Sequence, residues 1–217
     1  ITVTSFLVML LVLSYNSMEE AAIDNAHELS STILVQTDKR IDTFFTEIEK
    51  LARSLSHFPA FYEIRPDEMK PLILSTVEAH SDYLRAVYLG SVHGEMYEWG
   101  IGPGFVDNAP VFEPGYDPRE RPWYRKAMET GDFAISEPYL YASIKAMGIT
   151  GVIPVSDKTG SFVGVLGVDI MLDDLKKIIE QLNPAKTGRV VLLNQENRVI
   201  VNQFSGTGKG TDQFQLK

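Results

Sequence analysis

MGITGVIPVSDKTGSFVGVLGVDIML, residues 147–172, decides how this chain is read. Two runs rich in Val and Ile flank the turn signal Lys158-Thr159-Gly160. Apolar runs of this length, bounded by turn residues, predict two strands joined as a hairpin. LDDLKKIIEQL follows, with Leu172, Leu175, Ile179 and Leu182 on one helical face. Asp173 is a candidate cap for this helix, and Pro184 follows its end. Upstream, RAVYLG, SVHG and EMYEWG (residues 85–100) have period two and predict another hairpin with a Gly-containing turn. Between the two hairpins come a Gly- and Pro-rich loop over 100–118 and DPRERPWYRKAMETG, a proline-braced turn entering a short helix that Gly131 stops. FAISEPYLYA (133–142) then reads as a single strand.

The chain begins differently. Residues 1–18 carry no charge, and residues 6–13 read FLVMLLVL. A full bilayer span needs about 20 apolar residues. The stretch is read as the end of a transmembrane helix, with a signal peptide as the competing reading. No small-residue cleavage site follows, and the sequence runs on into NSMEEAAIDNAHEL, which is helical in character. From 18 to 55 there is neither Gly nor Pro. Apolar residues fall at Ala22, Ala26, Leu29 and Ile33, then at Ile41, Phe44, Ile48, Leu51 and Leu55, a helical stripe that Thr37 and Arg40 interrupt. The stripe suits packing on the rest of the chain and also a partner helix. Pro59, Pro66 and Pro71 punctuate a short helical region in which MKPLILSTVEAH is helix. At the other end, RVVLLNQENRVIVN (189–202) is a hairpin around Gln195-Glu196-Asn197 that resembles the 85–100 hairpin, so a second unit of the same kind starts there.

Composition narrows the function. With 217 residues and 44% hydrophobic content, the chain can build a core. A net charge of −9 opposes nucleic acid and anionic lipid as partners. There is no Cys, which removes disulfides and thiolate chemistry. GTGKGT (206–211) lacks P-loop spacing and reads as a polar loop. His27, His57, His80 and His93 are scattered without ligand-like pairing. Neither a metal site, a cofactor nor an enzyme active site is expected.

YDPRERPWYRKAM, residues 116–128, carries the most chemical information. Two prolines brace Arg119, Glu120 and Arg121, and Trp123 and Tyr124 follow. A guanidinium can hold a carboxylate through two parallel hydrogen bonds, and aromatic walls exclude competing water. The plainer alternative is that Arg121 ion-pairs with a neighbouring acid while Trp123 is core.

With DPRERPWYRKAM, SEPYLYA and VIPVSDKTGSFVGVLGVDI in this order after a long helix, the chain resembles the double Cache sensor domains of bacterial and archaeal membrane receptors. The resemblance implies an α+β fold: a long N-terminal helix followed by tandem PAS-like modules with antiparallel sheets, the second incomplete. It divides the chain into the end of a transmembrane helix (1–17), a long dimerisation and signalling helix (18–56), a membrane-distal ligand-binding module (57–183) and the start of a membrane-proximal module (184–217). In amino-acid-binding members an Arg, with Trp and Tyr two and three places on, holds the ligand carboxylate; a Tyr-x-Asp pair and a later Asp hold its ammonium. Arg121, Trp123, Tyr124, Tyr139 and Asp169 match, whereas Tyr141 stands where an Asp belongs. The missing acid moves preference toward a ligand without an amine. Thr150, Lys145 and Tyr97 are further candidates for the pocket. For Asp169 the alternative role is a local backbone cap at a strand end.

The implied function is an extracytoplasmic sensor of an amino acid or small carboxylate, anchored in the cell (inner) membrane and dimeric through its long helix. Its output domain would be a histidine kinase, a chemotaxis signalling helix or a cyclic-nucleotide enzyme outside these residues. The alternative is a membrane-anchored solute-binding or adhesion module without signal output.

Overall fold

The computed structural model describes residues 3–99, 114–182, 191–193 and 199–202. The Gln195-Glu196-Asn197 turn, GTGKGT and most of the 100–118 loop lie outside them.

Helix α1 (Val3–Ser56) runs unbroken for 54 residues, about 81 Å at 1.5 Å per residue. It joins the apolar start and the polar rod into one element, as the absence of Gly and Pro predicts. Every side chain of residues 6–13 faces outward; by length and composition, this helix includes a stretch able to cross a membrane. Burial starts late. Ala22, Ala26 and Leu29 are exposed, while Thr37, Ile48, Ala52 and Leu55 are buried. Thr37 therefore belongs to the buried stripe rather than interrupting it: its hydroxyl is small enough to sit at a position that the 3–4 spacing turns inward.

Two short helices follow, α2 (Pro59–Tyr62) and α3 (Pro66–Ala79); Pro71 lies inside α3 rather than ending it. Six strands then build one antiparallel sheet: β1 (Leu84–Ser91), β2 (Met96–Trp99), β3 (Ala134–Ile135), β4 (Tyr139–Leu140), β5 (Met147–Ser156) and β6 (Phe162–Met171). Their order is β2-β1-β6-β5-β3, with β4 also pairing to β5. The β5–β6 hairpin sits at the centre, closed where Asp157 accepts from the N–H groups of Thr159 and Ser161.

The segment read as one strand over 133–142 is two, β3 and β4. Pro138 has no N–H to give a ladder. Ser136 bridges the gap: its N–H donates to the Thr150 carbonyl at 2.9 Å, and its Oγ accepts from the Thr150 N–H at 3.0 Å.

The sheet has two unlike faces. One packs Val87, Leu89, Ile149, Leu166, Val168 and Ile170 against Ile48, Ala52 and Leu55 of α1, Met69, Ile73 and Val77 of α3, and Leu175 and Ile179 of α5 (Leu172–Leu182). Gly151 lets α1 settle there, since a Cβ at that position would lie 2.8 Å from Ile48 Cγ2. The other face carries a smaller cluster, Ala86, Tyr88, Val152 and Val165 under Trp123, Tyr124 and Ala127 of α4 (Pro122–Thr130). A further antiparallel pair, β7 (Val191–Leu193) and β8 (Val199–Asn202), matches the expected 189–202 hairpin, and Val201 joins the larger core.

Because Ile48 is fully buried at the helix–sheet contact, Ile48→Ala should cost about 2–5 kcal/mol and Ile48→Val about 0.5–1.5 kcal/mol. Urea denaturation of the purified chain measures both; unchanged midpoints would mean that α1 does not rest on the sheet.

Candidate functional site

The smaller face of the sheet is where the polar residues of interest meet. Strand alternation turns Thr150 of β5 and Asp169 of β6, paired in register, toward α4. Both are buried, as is Glu98 of β2. Tyr88 of β1 lies in register with Glu98 and reaches over to the Asp169 carboxylate.

Asp169 is held by hydroxyls, and among the described residues no cation forms an ion pair with it. Its Oδ1 accepts from Tyr88 Oη at 2.7 Å and from Thr150 Oγ1 at 2.6 Å. Thr150 Oγ1 is in turn 2.7 Å from Tyr139 Oη. Asp169 is thus a strand-borne acid tied to side chains across the sheet, and the local-cap alternative does not describe it. Burial pushes its carboxyl up to about 8; the Thr150 and Tyr88 hydrogen bonds oppose this, and the nearby charge of Glu98 adds to it. The same burial drives the Tyr88 and Tyr139 phenols well above their ordinary range.

The proline-braced turn separates the two arginines. Asp117 caps the 3₁₀ turn Pro118–Glu120 by accepting from the Arg119 N–H, and it also holds the Arg119 guanidinium at 2.6 Å. Arg119 reaches on to the Val92 carbonyl. Arg121 is left for another task. It forms no ion pair with a described residue; its Nη2 donates to the Leu140 carbonyl at 3.0 Å, and its Nε is buried without a hydrogen-bond partner. The guanidinium carbon lies 5.8 Å from the Tyr116 ring centre and 5.9 Å from that of Tyr139, within cation–π range of both. Trp123 is fully buried edge-on to Tyr88, so it is core and wall together.

These groups border one narrow cleft, with a free volume of about 10 Å³, lined by Arg121, Trp123, Tyr139, Tyr141 and Asp169 together with Tyr88, Met96, Glu98, Tyr116, Ala142 and Ser143. Four of the expected residues do not line it. Thr150 stands behind Asp169. Tyr124 turns toward Trp123 and Phe162, since one helical step is about 100°. Tyr97 points to the opposite face, where it stacks on Trp99, because β2 alternates. Lys145 is exposed in the turn before β5, at φ 52°.

Tyr141 lines the cleft with its ring, but its hydroxyl is committed elsewhere. It donates to the Ile149 and Ile170 carbonyls and accepts from the Ile170 N–H. Gly148 makes room for it, as a Cβ there would lie 2.1 Å from the ring. The residue standing in place of an Asp therefore serves the backbone of β5 and β6. The cleft residues not anticipated were Tyr88, Met96, Glu98, Tyr116, Ala142 and Ser143; for Glu98 the alternation Met96-Tyr97-Glu98-Trp99 held the signal, because Glu98 falls on the face opposite to Tyr97.

The chain matches the Cache domain family over residues 14–216. The methyl-accepting chemotaxis protein McpG of Pseudomonas putida is 33% identical over 156 residues, covering 71% of this chain and 22% of McpG. PscA of Pseudomonas syringae, also a methyl-accepting chemotaxis protein, is 28% identical over 205 residues, 94% of this chain and 31% of PscA. The chain therefore spans between 22% and 31% of the length of these curated relatives. Among solved structures, the ligand-binding domain of the Pseudomonas aeruginosa amino acid chemoreceptor PctB in complex with L-Gln aligns at a TM-score of 0.62 and 23% identity, over 82% of this chain and 67% of that one. The ligand-binding domain of the Pseudomonas fluorescens chemoreceptor CtaA in complex with L-serine aligns at 0.65 and 23%, over 83% and 73%. The shared feature is the fold, a long N-terminal helix on an antiparallel sheet.

The raised Asp169 carboxyl has a measurable sign. Its folded value of about 8 lies above the ordinary value of about 3.9 for an unfolded chain. Between these limits the folded state keeps a proton that the unfolded state releases, so this contribution to stability is complete below pH 4 and is lost as pH rises through about 8. Asp169→Asn should flatten the decline of melting temperature between pH 5 and 8.5. Parallel profiles for parent and variant would refute the assignment.

Proposed function

The chain belongs to the Cache domain family, and on that premise we propose that it is the extracytoplasmic ligand-sensing part of a transmembrane signalling receptor. The observation that carries the reading is Arg121: a guanidinium with a buried, unpartnered Nε, set against two Tyr rings, in the same cleft as the buried Asp169. A site of this kind takes a small carboxylate or an amino acid. Arg121 grips the carboxylate; Trp123, Tyr116 and Tyr139 wall it; Asp169 faces the remainder of the ligand. The complexes of PctB with L-Gln and of CtaA with L-serine support the same class of ligand.

In this reading residues 1–17 end a transmembrane helix in the inner membrane, 18–56 form the signalling helix, 57–183 the membrane-distal ligand module, and 184–217 the start of a membrane-proximal module. The exposed Ala22, Ala26 and Leu29 give two copies of α1 a seam for a homodimer. The resemblance to chemotaxis proteins favours a chemoreceptor output over a histidine kinase. Signalling is a population shift: ligand binds one arrangement of the sheet and α1 better than the other, and the shift is bounded by that difference in affinity.

A thermal-shift screen of the purified chain against L-amino acids and small carboxylates tests the proposal. A ligand at 100 times its dissociation constant adds about 2.7 kcal/mol. Arg121→Ala should lose the response; a variant that responds like the parent would rule out the carboxylate grip.

A further inference from the structure

The proline-braced turn carries two arginines, and of these Arg121 lines the cleft. The other, Arg119, makes a contact that reaches beyond its own turn. Its Nε and Nη2 hold the two oxygens of Asp117, at 2.9 Å and 2.6 Å, and its Nη1 donates to the Val92 carbonyl at 3.2 Å. Val92 follows β1 and is itself fixed, since its N–H donates to the Val163 carbonyl of β6 at 2.8 Å. The guanidinium lies along Gly94, at φ 93° in the β1–β2 turn, where a Cβ would come within 3.2 Å of Nη2. One planar group thus joins the braced turn to the end of two central strands. A rigid fork of five donors can engage both partners at once, and a single ammonium cannot.

Position in the sequence gives this contact its consequence. Tyr116 stands three residues before Arg119 and Arg121 two residues after it, and both line the cleft. The chain between them is short and braced: the Glu120 N–H donates to the Asp117 carbonyl and the Arg121 N–H to the Pro118 carbonyl. Trp123 and Pro118 rest over Gly90 of β1, where a Cβ would lie 2.7 Å from Trp123 Cη2 and 3.0 Å from Pro118 Cβ. The Tyr116 phenol accepts a hydrogen bond from Trp123. The turn therefore leans on β1 at Gly90 and is clamped at Val92. Without the clamp it can pivot on the Gly90 contact, carrying Tyr116 and Arg121 with it, and a binding constellation tolerates only about 0.5 Å of such movement. We propose that Arg119 is a positioning residue for the cleft: it fastens the turn to β1 and so sets where the Arg121 guanidinium and the Tyr116 ring stand. This rests on the reading of the cleft as the ligand site, and adds how that site is held ready.

The test compares the purified parent with Arg119→Ala and Arg119→Lys in calorimetric titrations with L-glutamine, L-serine and propionate, in urea denaturation and in amide hydrogen exchange. Arg119→Ala should bind about tenfold more weakly, because ordering the turn then falls to the ligand. Its urea midpoint should stay near that of the parent, since the ion pair with Asp117 is exposed. Exchange at the Glu120 and Arg121 amides should rise, while exchange at Tyr88 and Thr150 stays the same. Arg119→Lys, which can pair with Asp117 but not also reach Val92, should lie nearer to Arg119→Ala than to the parent. Unchanged exchange in the turn overturns the proposal, and so does a loss of affinity that merely follows a loss of urea stability. If Arg119→Ala binds like the parent while Arg121→Ala does not bind, the ligand site stands and only the role of Arg119 falls. If none of the three probes binds the parent, or if Arg121→Ala binds as the parent does, the site reading falls as well.

Discussion

The Asp169 carboxyl is buried on a central strand, where two hydroxyl groups hold it and no cation among the described residues pairs with it. A carboxylate so placed is costly to ionise. The surrounding architecture makes sense as the frame that keeps it there. Thr150 must face it across β5 and β6, Tyr88 must reach it from β1, and Tyr139 must reach Thr150 from β4. Four strands contribute to one polar cluster, and their register fixes its geometry. The same cluster prevents this face of the sheet from becoming a closed apolar core like the other one.

The proline-braced turn supplies the opposite charge by a different route. Asp117 occupies Arg119 in a short-range ion pair that also caps the turn. That contact is exposed and adds little to stability. Its effect is one of sorting: it satisfies the nearest acid and leaves the Arg121 guanidinium to two tyrosine rings and a carbonyl. Of the two readings open for this segment, the ion pair belongs to Arg119, and Trp123 is both core and wall.

Much of this was legible in the residues. The central hairpin, the short helix stopped by Gly131 and the unbroken rod all rest on local signals: alternation, proline and glycine punctuation, and 3–4 spacing; the expectation that Arg121 and Asp169 share a site came from the family resemblance. What escaped depends on phase and on contacts distant in sequence. Tyr97 and Glu98 are neighbours, and only the register of β2 on β1 decides which of them meets the cleft. The split between β3 and β4 turns on the Ser136 side chain replacing a backbone partner. Tyr141 reads as a lost acid because its hydroxyl bonds appear only once β5 and β6 are in place around it. Thr37 reads as a gap in the stripe because a hydroxyl says nothing of what covers it.

The pleat of β5 brings together two functions that the chain otherwise holds apart. Thr150 looks toward Asp169, and the next residue, Gly151, looks toward Ile48 on the long helix. Cleft and rod are thus separated by the thickness of a single backbone, and any news passing between them has one peptide unit to cross. A bulkier residue 151 would jam that relay from the dry side, altering how the rod rests while leaving every cleft-facing group unchanged.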